Sequence, residues 1–283
     1  MSAAPLVVVC GNVTLDRTPE GLVPGGPAYY AGRAWRALGA EVRVLTAAAP
    51  DFPAEAMDGV ETKVVRSART TLFQNHYDPD GRRTQRVETQ AAPLSPRHLP
   101  SHWRRADVLH VVPVLSEVDA ARLRVAVRPR LTGLCAQGLV RAVGPDGTVA
   151  QPPWEPSPSL LSALDVVVLG EDDVVGQGNL LDRLAAAVPV VAFTRGAHGC
   201  DIIVRGHTTR VGVFPVEEVD PTGAGDVFAA GFLFAMAQGA TPPEAARLGA
   251  AAASFVVEAP GGQALDRVAG AFERVIGVRI AGD

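Results

Sequence analysis

The run Val219-Asp220-Pro221-Thr222-Gly223-Ala224-Gly225-Asp226, followed by Val227-Phe228-Ala229-Ala230-Gly231-Phe232-Leu233-Phe234, constrains this 283-residue chain more than any other stretch. Pro221, Gly223 and Gly225 mark a turn, and the residues beyond Asp226 stay small or apolar to about Gln238, with Gly239 as a stop. The pattern predicts a loop feeding a helix that lacks a polar face and so must lie deep in the protein. At the start of such a helix, unpaired N–H groups and the positive end of the dipole attract an anion. Small side chains let a phosphate approach the backbone. Asp226 falls in the first turn, where a carboxylate beside a phosphate could accept a proton from a hydroxyl, as phosphoryl transfer requires. An ordinary N-cap turn opening a buried helix has the same spacing.

The rest of the composition excludes several alternatives. With 26 basic and 30 acidic residues the formal charge is -4, which gives no reason to expect nucleic acid or an anionic membrane as partner. Lys63 is the only lysine, which excludes a Walker-type phosphate loop ending in Gly-Lys-Ser/Thr. Cys10, Cys135 and Cys200 are isolated and odd in number, against a disulfide framework or a zinc knuckle. The N-terminus has no basic region ahead of its short apolar run, and no apolar stretch approaches the ~18 residues of a membrane span. A cytoplasmic protein is expected.

Leu6–Cys10 reads as a buried strand ending at Gly11-Asn12, without the glycine spacing of a dinucleotide fold. Asp16 follows in a short polar link. Gly25-Gly26-Pro27 opens a helix whose apolar face is Ala31, Ala34, Trp35 and Leu38, ending at Gly39. Glu41–Thr46 alternates as a strand, completing a β-α-β unit and so predicting a parallel sheet. Residues 71–77 and 82–89 read as a polar hairpin turning at Asp78-Pro79-Asp80-Gly81. It would serve equally as a lid or as a solvated edge. Ser116–Val127 is a predicted helix, residues 144–159 a long loop, and Cys200–Val204 with Thr209–Phe214 a second hairpin. Thr241-Pro242-Pro243-Glu244 is a capping box for a helix to about Val257, and Leu265–Ile276 closes the chain as another helix. No internal repeat or long linker is visible, so residues 1–283 are expected to form one domain.

At Asp220-Pro221-Thr222-Gly223-Ala224-Gly225-Asp226 the chain closely resembles the PfkB, or ribokinase-like, family of carbohydrate kinases. Gly25-Gly26-Pro27-Ala28-Tyr29-Tyr30-Ala31 leading to Leu38-Gly39 resembles the N-terminal glycine-pair motif of that family. The resemblance implies a three-layer α/β/α fold with a mostly parallel central sheet and a small β lid, from residues of about 13–24 and 70–92. It implies Asp226 as catalytic base, with the backbone of Gly223, Ala224 and Gly225 as the anion hole. Thr194, Gly196 and Gly199 match the nucleotide-binding T-x-G-x-x-G turn, and Thr222 is placed with them. Asn12, Asp16, Gly25, Gly26, Tyr30, Gln137 and Arg141 are the implied substrate-binding set, and Asp173 and Asp220 the implied metal residues. ATP and Mg2+ are the implied cofactors, and Asp220, Thr222 and residues 259–262 resemble a site for a monovalent cation such as K+.

Departures from the family pattern concentrate on the acceptor side. Tyr30 stands where the family places a substrate-contacting asparagine. Gly170 replaces the asparagine of an N-x-x-E element that aligns with Gly170 to Asp173. Gln137 ahead of Arg141 is closer to the inositol-kinase-like branch than to ribokinase. The implied activity is ATP-dependent phosphorylation of a hydroxyl on a sugar or polyol. A nucleoside acceptor is the alternative, with Tyr30 and Phe73 offering aromatic faces to a base. A non-catalytic ligand sensor on the same scaffold is a third. Neither nucleic acid nor membrane is expected as partner, and a hairpin covering a neighbour's site would make a homodimer.

Overall fold

A computed structural model describes residues 4–77 and 83–277. The turn predicted at Asp78–Gly81 lies outside the described residues.

The first strand, β1 (Leu6–Cys10), runs into a hairpin of β2 (Thr14–Thr18) and β3 (Gly21–Gly25). Helix α1 (Pro27–Ala37) then returns the chain to β4 (Glu41–Ala48) and β5 (Glu61–Arg66). Strands β6 (Thr71–Tyr77) and β7 (Arg83–Thr89) form the second polar hairpin. Next come β8 (Val108–Val111), α2 (Ala120–Val127), β9 (Leu131–Cys135), and the small pair β10 (Ala142–Val143) and β11 (Val149–Ala150). A short α3 (Pro158–Leu161), β12 (Val166–Gly170), α4 (Leu180–Ala187) and β13 (Val190–Thr194) follow. The chain ends in β14 (Cys200–Val204), β15 (His207–Val211), α5 (Ala224–Ala237), α6 (Pro242–Val256) and α7 (Ala271–Gly277).

Among the described residues nine strands form the main sheet in the order β15-β14-β13-β12-β9-β8-β1-β4-β5. It is parallel from β13 to β5, and β14 and β15 join antiparallel at one edge. Alternation along the strands sends side chains to opposite faces. Val7, Val9, Val44 and Val168 meet α1, α5 and α6, while Val8, Leu45, Leu109 and Val167 meet α2 and α4. The result is three layers with two cores, the architecture the resemblance implies. Helix α5 is buried continuously from Val227 to Ala235, as its lack of a polar face requires.

The second sheet has the order β3-β2-β6-β7, with β2 and β6 parallel. It corrects the reading of Asp16 as part of a polar link: residues 14–25 are themselves a hairpin that joins the 71–89 hairpin. The helix expected from Ser116 begins at Ala120, because Asp119 caps it by accepting from Arg122 N. Residues 144–159 contain β11 and the start of α3 and are pinned where Trp154 N donates to Gln177 Oε1 at 2.8 Å. The last hairpin strand starts earlier than expected, at His207. Residues 265–270 form a 3-10 turn ahead of α7.

Candidate active site

Strand order diverges on either side of β1, and the carboxyl ends of the parallel strands at such a point form a natural crevice. A cavity of about 510 Å³ lies there, walled by residues from the ends of β9, β12 and β13, by the start of α5, and by the second sheet.

The glycine-rich turn forms one wall. Gly223 adopts the left-handed conformation (φ 81°) as the cap of α5. Val227 N donates to Gly223 O at 3.0 Å, which begins the helical ladder. The amides of Gly225 and Asp226 precede it, where helix starts leave donors without helical partners. Gly223, Gly225 and Thr222 line the cavity, but Ala224 is not among the lining residues. Its N–H, expected to face the anion, donates to Pro221 O at 3.1 Å because the left-handed residue before it closes a turn. Asp220 also lies outside the lining. Its carboxylate accepts from Thr222 N (2.9 Å) and Gly261 N (2.8 Å), tying the 259–262 loop to the turn.

Asp226 lines the same cavity, where burial pushes its carboxyl up from 3.8 to about 7; Arg141 opposes the shift and the charge of Asp173 adds to it. Asp173, on the turn after β12, is also raised by burial, with the Gly170 amide and Arg141 pulling the other way. Its Oδ2 accepts from Gly170 N at 2.8 Å. Its Oδ1 is buried and has no hydrogen-bond partner among the described residues. Thr194, at the end of β13, and Gly196 border this region, and Thr194 Oγ1 donates to Leu169 O at 3.3 Å. Gly199 lies outside the lining and shapes the turn instead, its carbonyl accepting from Arg195 N at 2.7 Å.

On the opposite side, Thr14 and Asp16 are two apart on β2 and both line the cavity. Arg17, the residue after Asp16, instead pairs with Glu88 at 2.7 Å. Gly25 packs on Asp16, since a methyl there would sit 2.3 Å from Asp16 Oδ2. Gly26, Tyr30, Phe73, Gln85, Gln137 and Arg141 complete this part of the wall. Asn12 does not reach it. Its side chain is buried, with Oδ1 accepting from Ala47 N (2.9 Å) and Nδ2 donating to Ala92 O (3.3 Å), so it fastens the chain beyond β1.

Thr14, Gln85, Cys135, Glu171 and Asp172 were not singled out from sequence and also line the cavity. Period-two alternation along β2 and β7 would have found Thr14 and Gln85, and the carboxyl-end rule Cys135. Beneath Cys135, Trp35 Nε1 donates to His110 Nδ1 at 3.0 Å. The imidazole proton is therefore on Nε2, which donates to Cys135 Sγ at 3.4 Å. Burial lowers His110 to about 3, so it is a neutral core group rather than a base.

The described residues contain no group of three or more His, Cys, Asp and Glu arranged to hold a metal. They contain no helix long and apolar enough to cross a membrane.

This architecture has close counterparts among solved structures. A pyrophosphate-dependent kinase of the ribokinase family, complexed with a pyrophosphate analog and myo-inositol, superposes with a TM-score of 0.75 at 20% identity, over 90% of this chain and 96% of the other. The fold is therefore ribokinase-like. Residues 169–267 match the profile described as pfkB family carbohydrate kinase. A cytidine kinase of Thermococcus kodakarensis is 26% identical over 86% of this chain and 92% of its own length. An inositol 3-kinase of Zea mays is 35% identical over 56% of this chain, which spans only 41% of that protein. The chain is thus similar to the PfkB family of carbohydrate kinases, whose members are phosphotransferases that act on hydroxyl groups.

Proposed function

We propose that this protein is an ATP-dependent kinase that transfers the γ-phosphoryl group to a hydroxyl of a neutral, compact polyol or sugar. One observation carries the reading: a carboxyl raised to about 7 shares a cavity with a left-handed glycine turn and with the polar groups of a second sheet. Asp226 takes the proton of the attacking hydroxyl, and a carboxyl poised near neutrality is suited to that task. The amides at Gly223 and Gly225 hold the transferring group as its charge spreads. Thr194 and Gly196 border the donor, while Asp16, Gln137 and Arg141 orient the acceptor.

The charge of the cavity argues for a neutral acceptor. Its lining carries Asp16, Glu171, Asp172, Asp173 and Asp226 against the single guanidinium of Arg141. An acceptor already bearing a phosphate would meet this field unfavourably. Tyr30 and Phe73 are only 3% and 4% exposed, so they offer edges rather than faces for a base to stack on. This favours a cyclitol or sugar over a nucleoside. The nucleoside reading keeps the support of the cytidine kinase similarity.

Mg2+ fits the same electrostatics. The orphaned, buried Oδ1 of Asp173 would hold it, directly or through water, and the ion would supply neutralisation of the donor phosphates. A monovalent cation at Asp220 would share a carboxylate that already accepts two amides, and exchange of K+ for Na+ in the assay tests it. A cytoplasmic location goes with the use of ATP. A homodimer through the edge strand β3, which exposes Leu22 and Val23, is a further proposal that sedimentation would test.

The function is tested with a panel of cyclitols, sugars and nucleosides, each with ATP and with pyrophosphate as donor. Transfer to a polyol, lost in Asp226→Asn, is the expected result. Turnover of the variant near that of the native protein would remove Asp226 as the base.

A further inference from the structure

Two adjacent tyrosines on the first turn of α1 each press on a glycine from a distant loop. A methyl added at Gly223 would sit 2.3 Å from Cδ1 of Tyr30 and 2.5 Å from its Cγ and Cε1, so the ring lies flat against the glycine backbone. A methyl added at Gly262 would sit 2.2 Å from the hydroxyl of Tyr29. The two rings meet edge to face at 5.1 Å, and both are buried. Gly26, whose carbonyl accepts from Tyr29 N (3.0 Å) and Tyr30 N (3.2 Å), anchors this turn. Gly261, next to Gly262, donates to the Asp220 carboxylate, which in turn accepts from Thr222 N. The tyrosines therefore touch the phosphate turn directly at Gly223 and indirectly through the 259–262 loop.

Gly223 has no side chain of its own to fix its conformation. Left-handed glycine is among the more freely moving backbone elements, and an anion hole works only when its donors are held in place beforehand. The flat face of Tyr30 blocks one side of that glycine. Another part of the same residue borders the acceptor end of the cavity, near enough for the charges of Asp16 and Asp226 to act on its phenol.

We propose that Tyr30 is a positioning residue, which holds the Gly223 turn in its phosphate-binding conformation and so links the acceptor-side helix to the donor site. The proposal rests on the phosphate-hole reading of Gly223–Asp226 but concerns a residue on the other side of the cavity. The ring matters and the hydroxyl does not, so Tyr30→Phe should preserve the effect that Tyr30→Ala removes.

Calorimetric binding of magnesium pyrophosphate, without any acceptor, tests this separately from turnover. The native protein and Tyr30→Phe should bind within about 2-fold of each other, and Tyr30→Ala about 10-fold more weakly, as expected for donors no longer preorganised. If Tyr30→Ala does not fold, Tyr30→Leu, which keeps bulk but loses the flat ring, carries the comparison. A residue that only shapes the acceptor pocket would leave pyrophosphate affinity unchanged in every variant, and that result overturns the proposal. So would equal losses in Tyr30→Phe and Tyr30→Ala, which would assign the effect to the hydroxyl. Failure of the native protein to bind pyrophosphate at all would instead overturn the phosphate-hole reading, and the proposal with it.

Discussion

The two walls of the cavity are built on different principles. In the proposed kinase the donor wall is mostly backbone: a left-handed glycine, the first turn of a buried helix and the strand ends at Thr194 and Gly170, backed by the apolar α5. The acceptor wall is side chains on a thin four-stranded sheet, Asp16, Phe73 and Gln85, with Tyr30, Gln137 and Arg141 reaching in beside them. Backbone geometry set by glycine and a deep helix tolerates little change. Side chains projecting from a sheet outside the main core can change without disturbing it, so acceptor choice can drift. On this view, substitutions at the donor wall should abolish transfer with any acceptor, and those at the acceptor wall should redistribute it, except at Tyr30, which also presses on Gly223 of the donor wall.

The largest expected effect is at Asp226. Asp226→Asn removes the proposed base and should lower kcat by about 10²–10⁴-fold for every acceptor. The activity of the native protein should rise with pH to a plateau above about 7, the value to which burial raises this carboxyl. The sign for stability is opposite. In the native state Asp226 keeps its proton in a range where the unfolded chain has lost it, so its contribution to stability is full below 3.8 and lost as pH rises to about 7. Asp226→Asn should therefore melt higher than the native protein at pH 8, with the gap closing towards pH 4. A variant that is both inactive and less stable at pH 8 would break the picture of a half-buried, desolvated carboxylate held for chemistry.

Next in size is Gly223→Ala, on the same wall. The new methyl meets the Tyr30 ring and the residue must hold φ near 81°, so the turn has to move. Loss of about 10²-fold in kcat is expected, comparable to removing one donor of an oxyanion hole. An intermediate effect is expected from Asp16→Asn across the cavity. Its cost should fall on acceptor KM, by about 10-fold or more, as for the loss of a charged hydrogen bond. Pyrophosphate affinity should be unchanged. Equal loss of donor affinity in Asp16→Asn would mean the two walls are not separable.

The same contrast explains what could be read from sequence. The glycine turn, the absence of a polar face on α5 and the capping box at Thr241 are local patterns, and each was legible because local chemistry alone determines it. The resemblance to the PfkB family rested on that backbone-dominated wall. The 14–25 strands were anticipated only through the family resemblance, as part of a small lid. Local pattern read them as a polar link, because Thr14–Thr18 is short and polar and its pairing partner β6 lies more than fifty residues away. Asn12 was misplaced for a related reason. A polar residue at a strand end suggests a ligand, yet here it meets amide and carbonyl groups from chain segments that sequence does not bring together. Ala224 shows the limit within the legible wall itself. The motif located the loop, but whether one amide faces the cavity or closes a turn depends on the dihedral of the residue before it.

The smallest effect is the most diagnostic, because it restores rather than removes. Gly170 has an ordinary φ of −93°, and a methyl there would lie 3.5 Å from Asp173 Oδ2 and 3.6 Å from Thr194 Oγ1, both normal contacts. Gly170→Asn should thus be accepted without strain and add a polar group beside the unpartnered Oδ1 of Asp173. If Asp173 holds Mg2+ against the donor phosphates, the added amide should lower the Mg2+ concentration for half-maximal activity by about 2–10-fold, below the roughly 10–100-fold that loss of an established supporting partner of a metal ligand costs. Acceptor preference should not move, because the change lies wholly on the donor wall. If the Mg2+ requirement stays fixed while acceptor preference shifts, Gly170 belongs to the acceptor side and the boundary between the walls lies elsewhere.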